Sequence, residues 1–496
     1  GCGSWAKGQR GGARMLPSES SALSPSDKSA ATTVNSKAAN LPVVTRKELA
    51  THNNEKDLWI AIDDTVYDVT KWASNHPGGE HLLQTLAGQD ASAVFHAFHT
   101  PHGTGAKALK LLGYLPQVAR LESRPKTKLE NAFIELRENI DKEGLYETSL
   151  SFYLALTVWL QFLLLATVYY TLLADDLKST VFAGLIFGLF LQQTAFVGHD
   201  TAHNGITHDR KIDMFIGIVV GPLLTGVSTA WWKRSHNTHH VVTNSLTHDP
   251  DIQHMPLFAI TENFWRKGGT FSYYHKHFFK FDGLARALIS YQHILYYPVM
   301  ALARWNLYAQ GLILLLNTKL KVEWRLTELV ALMCFATWVS CLVSVLPTWQ
   351  LRLVWLLSSH MLAGVLHVQI TLSHFSMPTY SGATFDATEG EEFLRQQLYT
   401  SMDVDTPWWF DWFHGGLQWQ VVHHIFPRLP RHNLRRVQGM LQQMCTAHGV
   451  EYKVVSFLEG NVEIVKTLHA AAMKARASKV INFSDSELWK AMCAEG

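Results

Sequence analysis

The sequence lacks the features of a secreted, disulfide-stabilised or nucleic-acid-binding protein. Its five cysteines are scattered and two of them lie inside apolar segments, so they form neither a disulfide framework nor a zinc-binding pattern. The net charge is only +2, which gives no bulk electrostatic attraction to nucleic acid. Residues 1–41 contain no apolar run like the centre of a signal peptide. We therefore expect a reducing, cytosol-facing protein whose polar residues 1–41 form a disordered tail.

Histidine is plentiful, with 26 in the chain, and seven of them fall into three short clusters. The clusters are H-x-x-x-H (His199, His203), H-x-x-H-H (His236, His239, His240) and Q-x-x-H-H (Gln420, His423, His424). Residues at i, i+3 and i+4 share one face of a helix, so each cluster would present its rings together. Several imidazoles on one face are awkward for packing and well suited to binding a metal ion.

An eighth candidate ligand, His374, stands at the end of an apolar segment. Eight nitrogen ligands are too many for one ion, so the simplest count is two ions with about four ligands each. The preferences of imidazole alone leave zinc, iron, copper and nickel open.

Other polar residues near the clusters are expected to support them. We expect Asp200, Asp249 and Asp251 to hydrogen-bond the ligand rings and fix their tautomers. His248 and His254 are predicted to be loop residues, or to lie behind the ligands without binding metal.

Further histidines and tryptophans are not expected to be part of the metal site. His293, His360 and His367 are predicted to make structural or lipid-facing polar contacts. The tryptophan pairs at 231–232 and 408–409 are expected to be interface anchors or core residues.

Long apolar segments predict four membrane spans, at about 150–174, 179–198, 327–347 and 350–373, each long enough as a helix to cross a bilayer. Lys and Arg are almost missing from the two short turns within these pairs. With a cytosolic N-terminus, four crossings put all three clusters on the cytosolic side, as the positive-inside rule expects.

Two further apolar segments are interrupted and are not counted as spans. Residues 214–230 contain three glycines and a proline, and we expect them to be buried or interfacial. Residues 288–316 contain His293, Pro298 and Arg304, and an interfacial or buried helix suits them better.

The polar region before the first span resembles a cytochrome b5 domain. It has H-P-G-G at residues 76–79, A-G-Q-D at 87–90 and F-H-A-F-H at 95–99. The resemblance implies an electron-carrying haem b domain at 42–117, with iron held by His76 and His99. His96 is the nearest alternative ligand. Residues 118–149 are predicted to be a charged linker with an amphipathic surface helix.

An electron carrier joined to a metal site implies that the site consumes electrons, so iron with O2 is favoured over zinc. A zinc hydrolase is also disfavoured because no carboxylate in the clusters is placed as a general base.

Together, the haem domain and the three clusters resemble the membrane front-end desaturases. The resemblance implies a small α+β haem domain fused to an all-α, four-span bundle with a cytosolic helical cap, over residues 150–475, followed by a tail at 476–496. It also implies two non-haem irons bound by the seven clustered histidines, with His374 and Gln420 as further candidates. Val422 stands where many relatives have Glu.

Residues 246–256 and 291–298 are similar to the sphingolipid Δ8-desaturase branch, and residues 421–428 to its fungal members. The implied reaction introduces a double bond into a long lipid chain, using O2 and electrons from NADH-cytochrome b5 reductase, at the endoplasmic reticulum membrane. Three alternatives stay open: an acyl-lipid Δ5 or Δ6 desaturase, a lipid hydroxylase on the same frame, and a non-enzymatic haem electron-transfer protein.

Overall fold

The computed structural model describes residues 41–478. The predicted N-terminal tail and all but the first three residues of the predicted C-terminal tail lie outside the described residues.

The first part of the chain is a small domain built on a five-stranded sheet with the strand order β1-β5-β4-β3-β2. The strands are β1 (Val43–Val44), β2 (Asn53–Asn54), β3 (Asp57–Ile62), β4 (Thr65–Asp68) and β5 (Gln117–Leu121), and the helices are α1 (Arg46–Leu49), α2 (Glu80–Thr85), α3 (Ser92–Phe98) and α4 (Gly103–Leu112). Asp63 and Asp64 turn the β3–β4 hairpin with φ of 49° and 63°, as a tight two-residue turn between twisted strands requires.

The boundary of this domain differs from the predicted one. Residues 118–121 were expected in a linker, yet β5 pairs in parallel with β1 and antiparallel with β4. Its side chains Ala119 and Leu121 are buried in the domain core. The domain therefore extends to Leu121, because the sheet needs this strand to cover Val44 and Val66.

Helices dominate the rest of the chain. In order they are α5 (Lys128–Lys142), α6 (Leu150–Leu172), α7 (Leu177–Ala202), α8 (Arg210–Ile218), α9 (Thr229–Val241), α10 (Gly283–Ile289), α11 (Gln292–Leu302), α12 (Arg304–Leu316), α13 (Arg325–Ser344), α14 (Trp349–Ala363), α15 (Val365–Leu372), α16 (Glu392–Thr400), α17 (Asp411–His414), α18 (Gln420–Ile425), α19 (Leu434–Ala447) and α20 (Phe457–Ala477). Two short ribbons accompany them: β6 (Gly269–Ser272) with β7 (His277–Lys280), and β8 (Asp403–Asp405) with β9 (Val454–Ser456).

Four helical segments within residues 41–478 are long and apolar enough to cross a membrane: α6, α7, α13, and α14 continued by α15. They agree with the four predicted spans to within a few residues, except that α7 runs on to Ala202. The second and fourth spans pack closely because they meet at small residues. A Cβ added to Gly184 would lie 2.1 Å from Oγ of Ser358, so that contact needs glycine.

Neither interrupted apolar segment is a single straight helix. Residues 292–316 form α11 and α12, which meet at a bend of 66° and count as a fifth span only if the pair is taken as one. Residues 214–230 continue α8 into a π-helical turn, Val219–Leu223, before α9 begins. Arg304, at the bend, is fully buried, and its Nη2 donates to the carbonyl of Thr225 at 2.8 Å. Residues 292–316 are thus a bent pair of helices and not the predicted single helix, and the prediction that they are interfacial or buried stays a prediction.

The cap is formed by the helices that follow the second and fourth spans. Helix α5, predicted to lie along a surface, packs its apolar face onto this cap. Its residues Leu129, Phe133 and Leu136 share a core with Val422 and Phe426. The helix therefore supports the segment that carries the third histidine cluster.

Candidate metal centre

The first cluster lies at the end of the second span. His199 is in the last turn of α7, and His203 is the residue that ends this helix. Because the two are four residues apart on a helical turn, their rings lie together, with centroids 4.9 Å apart. The apolar span thus carries both histidines to the base of the cap.

The second cluster occupies the last two turns of α9. Ser228 begins this helix, and its Oγ accepts from the backbone N–H of Trp231 at 3.1 Å. A carboxylate from the third span adds a second cap: Glu328 accepts from Ser228 Oγ at 2.6 Å and from the N–H of Ala230 at 2.9 Å. Negative charge at a helix N-terminus is favourable, so Glu328 fixes where α9 starts.

The third cluster lies on the short helix α18, where Gln420, His423 and His424 are all buried. Asp403 on β8 accepts from the N–H of Val421 at 2.9 Å, which supports the first turn of this helix. Burial raises the pKa of Asp403 to about 6, although its hydrogen bonds act in the opposite direction.

The three clusters meet. One nitrogen from each of His199, His203, His236 and His423 lies within 4.8 Å of the others, so these four rings could bind one metal ion. They come from three helices that are far apart in sequence. All but His199 are buried.

A second group lies beside the first. One nitrogen from each of His239, His374 and His424 lies within 4.8 Å of the others, and all three rings are buried. His374 follows the fourth span and was the eighth candidate ligand.

His240 lies between the two groups. Its ring stacks on His424, with centroids 4.1 Å apart, and its Nε2 is 3.0 Å from Nε2 of His236. All eight candidate histidines therefore form one continuous cluster with two places where nitrogen atoms converge.

The chemistry of these nitrogens fits metal ions. Within residues 41–478, no hydrogen-bond partner reaches Nε2 of His199, His203, His423 or His424. Burial, followed by the charge of neighbouring histidines, lowers the pKa of His203, His240, His423 and His424 well below the usual value. Neutral imidazoles with free lone pairs are the form that binds metal, and leaving them buried and unpaired would be costly.

His239 is fixed from behind by a carboxylate. Its Nδ1 donates to Oδ2 of Asp249 at 2.9 Å, and Asp249 also accepts from the N–H of Asn244 at 2.7 Å. Burial lowers the pKa of His239, but Asp249 and Asp251 outweigh it and raise the pKa to about 8. Asp249 therefore has the predicted ring-orienting position, and Asp251 lies 3.6 Å from Nδ1 of His236.

His424 and His374 are held by groups that the sequence did not indicate. Nδ1 of His424 lies 3.0 Å from Oε1 of Gln397 and 3.1 Å from Oγ1 of Thr243. Nδ1 of His374 lies 3.3 Å from the carbonyl of Thr400. Each contact leaves the other ring nitrogen for the metal.

Asp200 occupies a different environment from the one predicted. Its Oδ2 accepts from Nε of Arg431 at 2.7 Å and from the hydroxyl of Tyr153 at 2.8 Å. Its Oδ1 is 3.7 Å from Nδ1 of His199, beyond a hydrogen bond. Asp200 therefore connects the first span, the second span and the cap. Its ion pair with Arg431 competes with the predicted hydrogen bond to a ligand histidine.

Gln420 and Val422 have distinct surroundings. The Oε1 of Gln420 is buried and has no hydrogen-bond partner in the described part of the chain. Val422 is fully buried in the core shared with α5. An apolar residue suits that position because the site is lined by Leu129 and Phe133.

The remaining histidines lie outside both groups. His248 stacks on Tyr273, with centroids 4.5 Å apart. His360 accepts or donates to the hydroxyl of Tyr308 at 3.2 Å, a structural contact as predicted. His254 is 5.9 Å from the Phe375 ring and shows no metal grouping.

His293 and His367 are also separate from the metal groups. His293 contacts the ring of His469 at 4.8 Å. His367 is buried, and neither of its ring nitrogens has a hydrogen-bond partner within residues 41–478; nothing in the structure explains this.

The two tryptophan pairs differ. Trp408 and Trp409 are largely exposed, which suits the predicted interface anchors. Trp232 instead packs against the first metal group, 4.1 Å from His236 and 5.2 Å from His199. It serves as core for the cluster.

The N-terminal domain contains a second pair of facing histidines. The rings of His76 and His99 lie 6.4 Å apart. Nδ1 of His76 hydrogen-bonds to the carbonyl of Gly79 at 3.0 Å, and Nδ1 of His99 to that of Phe95 at 2.9 Å. Burial lowers the pKa of both rings, that of His99 to about 3. Each ring thus keeps Nε2 for an iron between them, which fits a haem.

His96, the alternative haem ligand, points elsewhere. Its Nε2 lies 2.9 Å from both carboxylate oxygens of Asp63, in an exposed position. This geometry favours His99 over His96.

The chain matches two known families. Residues 45–125 match "Cytochrome b5-like Heme/Steroid binding domain", and residues 178–456 match "Fatty acid desaturase". The matched regions contain both facing haem-domain histidines and all eight histidines of the metal cluster.

Curated relatives align along nearly the whole chain. A Helianthus annuus protein named "Delta(8)-fatty-acid desaturase" is 39% identical over 89% of this chain and 94% of its own length. A Komagataella phaffii protein named "Delta 8-(E)-sphingolipid desaturase" is 32% identical over 89% and 95%. A Borago officinalis protein named "Acyl-lipid (9-3)-desaturase" is 36% identical over 87% and 94%.

Proposed function

The chain belongs to the fatty acid desaturase family, with a fused cytochrome b5-like domain, and we propose that it introduces a Δ8 double bond into sphingolipid long-chain bases. It is an integral membrane oxidoreductase of the front-end type, and its cofactors are haem and two non-haem irons. The observation that carries the proposal is the meeting of seven histidines in two groups, with His240 between them, at the cytosolic ends predicted for the second and fourth spans.

The metal ligands are assigned by group. His199, His203, His236 and His423 bind one iron, and His239, His374 and His424 bind the other, with His240 between them. Gln420 is a further ligand or orients one. In the haem domain, His76 and His99 are the axial ligands. The iron ligands are assigned from the converging nitrogens. For His199, His203, His423 and His424, a further support is that Nε2 has no other partner within residues 41–478. The haem ligands are assigned from the facing rings of His76 and His99.

When bound, the irons would supply the reduction of O2 to two waters. Two of the electrons and two of the protons come from outside the substrate, and the other two of each come as two hydrogen atoms from adjacent methylenes of the lipid. The protein supplies orientation. Asp249 holds the ring of His239, and Gln397 holds that of His424, so the ligand rings cannot turn. The lipid chain must be held with one C–C bond at the centre, since nothing chemical distinguishes one methylene from the next.

The proposal includes a source of electrons and an orientation of the protein in the membrane. NADH-cytochrome b5 reductase would reduce a haem held by His76 and His99, and these electrons would then serve the metal ions held by the clustered histidines. The protein lies in the endoplasmic reticulum membrane, with both centres facing the cytosol. This orientation is supported by the scarcity of Lys and Arg in the turns between paired spans.

The Δ8 position is supported by the names of the Helianthus annuus and Komagataella phaffii relatives. A sphingolipid substrate is preferred because the Komagataella phaffii relative is named "Delta 8-(E)-sphingolipid desaturase". An acyl-lipid substrate is the second candidate. It is favoured by the "Acyl-lipid (9-3)-desaturase", which matches almost as much of the chain.

The test is expression in a host that lacks desaturated long-chain bases, followed by analysis of long-chain bases and fatty acids. We expect a new double bond in long-chain bases, and none in cells that express His239→Ala. A product only in fatty acids would support the acyl-lipid alternative. A hydroxylated product would identify a hydroxylase, and unchanged lipids beside an intact haem spectrum would favour a simple electron carrier.

A further inference from the structure

The haem domain lies against the helix that carries the second histidine cluster. Leu82 of the haem domain shares a buried apolar core with Val241 and Val242, at the end of α9. Val94 and Phe98 of α3 pack against the same core. The contact therefore joins the helices beside the haem ligands to the helix with the most metal-binding residues.

Phe98 links this contact to the metal cluster. It directly precedes His99, and its ring lies 6.1 Å from that of His240, edge to face at 82°. His240 is the ring between the two metal groups. The residue that directly precedes one haem-ligand histidine therefore contacts the middle of the metal cluster.

Polar contacts on either side hold the domain in the same place. Nη1 of Arg234 lies 3.4 Å from Nδ1 of His81. On the other side, the N–H and Oγ1 of Thr104 both donate to the carbonyl of His208, at 2.9 and 3.0 Å. The orientation of the haem domain therefore does not depend on Phe98 alone. A substitution of Phe98 can thus test the role of this side chain while the other contacts still hold the domain in place.

We propose that Phe98 is a positioning residue that sets His99 against His240, so that electrons pass within one chain and enter the metal centre at His240. The proposal rests on the proposed function. In this step one electron leaves the haem and arrives at the metal pair, and no bond forms or breaks. Two such transfers supply the two electrons needed for each double bond.

The experiment compares full-length Phe98→Ala and Phe98→Leu with wild type. Tyr114→Ala is the control, because Tyr114 is the most exposed large apolar side chain of the haem domain, at 85%. The haem is reduced anaerobically, and its oxidation by the metal centre is followed by stopped-flow absorbance. The haem spectrum and reduction potential are measured on the same samples. Turnover with a chemical reductant that reaches the metal centre directly is measured separately.

We expect Phe98→Ala to slow haem oxidation by at least about tenfold, since small displacements of reacting groups have effects of this size or larger. Phe98→Leu should fall between Phe98→Ala and wild type, and Tyr114→Ala should match wild type. The haem spectrum, the potential and the chemically reduced turnover should be unchanged in all variants.

Unchanged haem oxidation in Phe98→Ala would overturn the proposal, as would equal slowing in Tyr114→Ala. A shifted potential that accounts for the slower rate would also overturn it, because Phe98 would then act on the haem itself. Failure of the proposed function would look different: wild-type protein would form no double bond even with the chemical reductant.

Discussion

His239 is the ligand most firmly held by its surroundings. It is the one member of its group whose ring contacts a buried carboxylate, and Asp249 is itself fixed by the backbone of Asn244. A neutral amide at position 249 could still accept from Nδ1 of His239, but it would lose the charge that makes this bond strong.

We therefore expect Asp249→Asn to lower iron occupancy or activity by about 10–100-fold, the usual effect of changing the partner of a ligand histidine. Metal analysis of purified protein, alongside lipid analysis of the expressing cells, measures both. Asp405→Asn, at an exposed position on β8, is the matched control and should behave as wild type. Full iron content together with wild-type desaturation in Asp249→Asn would mean that the carboxylate does not orient the ligand.

The sequence predicts which histidines come together in the fold, because their spacing within each cluster is local. His236, His239 and His240 share a helical face, and this alone indicates a metal. The sequence does not predict the residues that hold the ligand rings in place. Gln397 and Thr243, for example, are distant from His424 in sequence and contact it only in the folded chain. No short-range pattern marks such contacts.

At the scale of elements, α9 depends on a charge inside a membrane span. Glu328 lies in the first turn of α13 and is buried, yet it caps α9 through Ser228 and Ala230. A carboxylate in a span is usually functional, and here its function is to place a ligand-bearing helix.

Removing this cap should destabilise the metal centre. Glu328→Ala leaves two buried donors unpaired, which costs about 1–3 kcal/mol for each. We expect a lower midpoint of thermal unfolding and a reduced iron content. Glu323→Ala, which removes an exposed ion pair with Arg210, should cost less than about 1 kcal/mol. Equal effects of the two substitutions would contradict the capping role.

The elements themselves were predictable where one periodicity or a long apolar run dominates. All four spans follow from hydropathy to within a few residues. The strand β5 and the bend between α11 and α12 were not predicted. Strand β5 has only five residues, and its partner β1 lies at the other end of the domain sequence. The bend depends on Arg304 reaching the carbonyl of Thr225, a tertiary contact.

At the scale of the whole molecule, the haem domain and the desaturase domain are in contact. Each was identifiable from its motifs, but their contact was not, because Phe98 and His240 come from separate domains. Only the fold reveals that the residue before one haem ligand contacts the metal cluster.

This arrangement predicts that the two domains of one chain work together. We expect His99→Ala and His239→Ala each to abolish desaturation, the first through the haem and the second through the metal centre. When both variants are expressed in the same cells, we expect activity to stay below about a tenth of wild type, because the docked domain serves its own chain. Lipid analysis with matched protein levels measures this, and substantial recovery would show transfer between chains.

The short connection between the domains, residues 122–127, has a consequence for electron supply. A tether of this length gives the haem domain an effective concentration of roughly millimolar at its own metal centre. A freely diffusing haem protein of similar affinity, at micromolar abundance, would be outcompeted by about a thousandfold. On the proposed electron route, the rate of lipid oxidation is thereby insulated from the cellular level of any separate electron carrier. The supply of electrons to the haem then becomes the step through which the cell can control this rate.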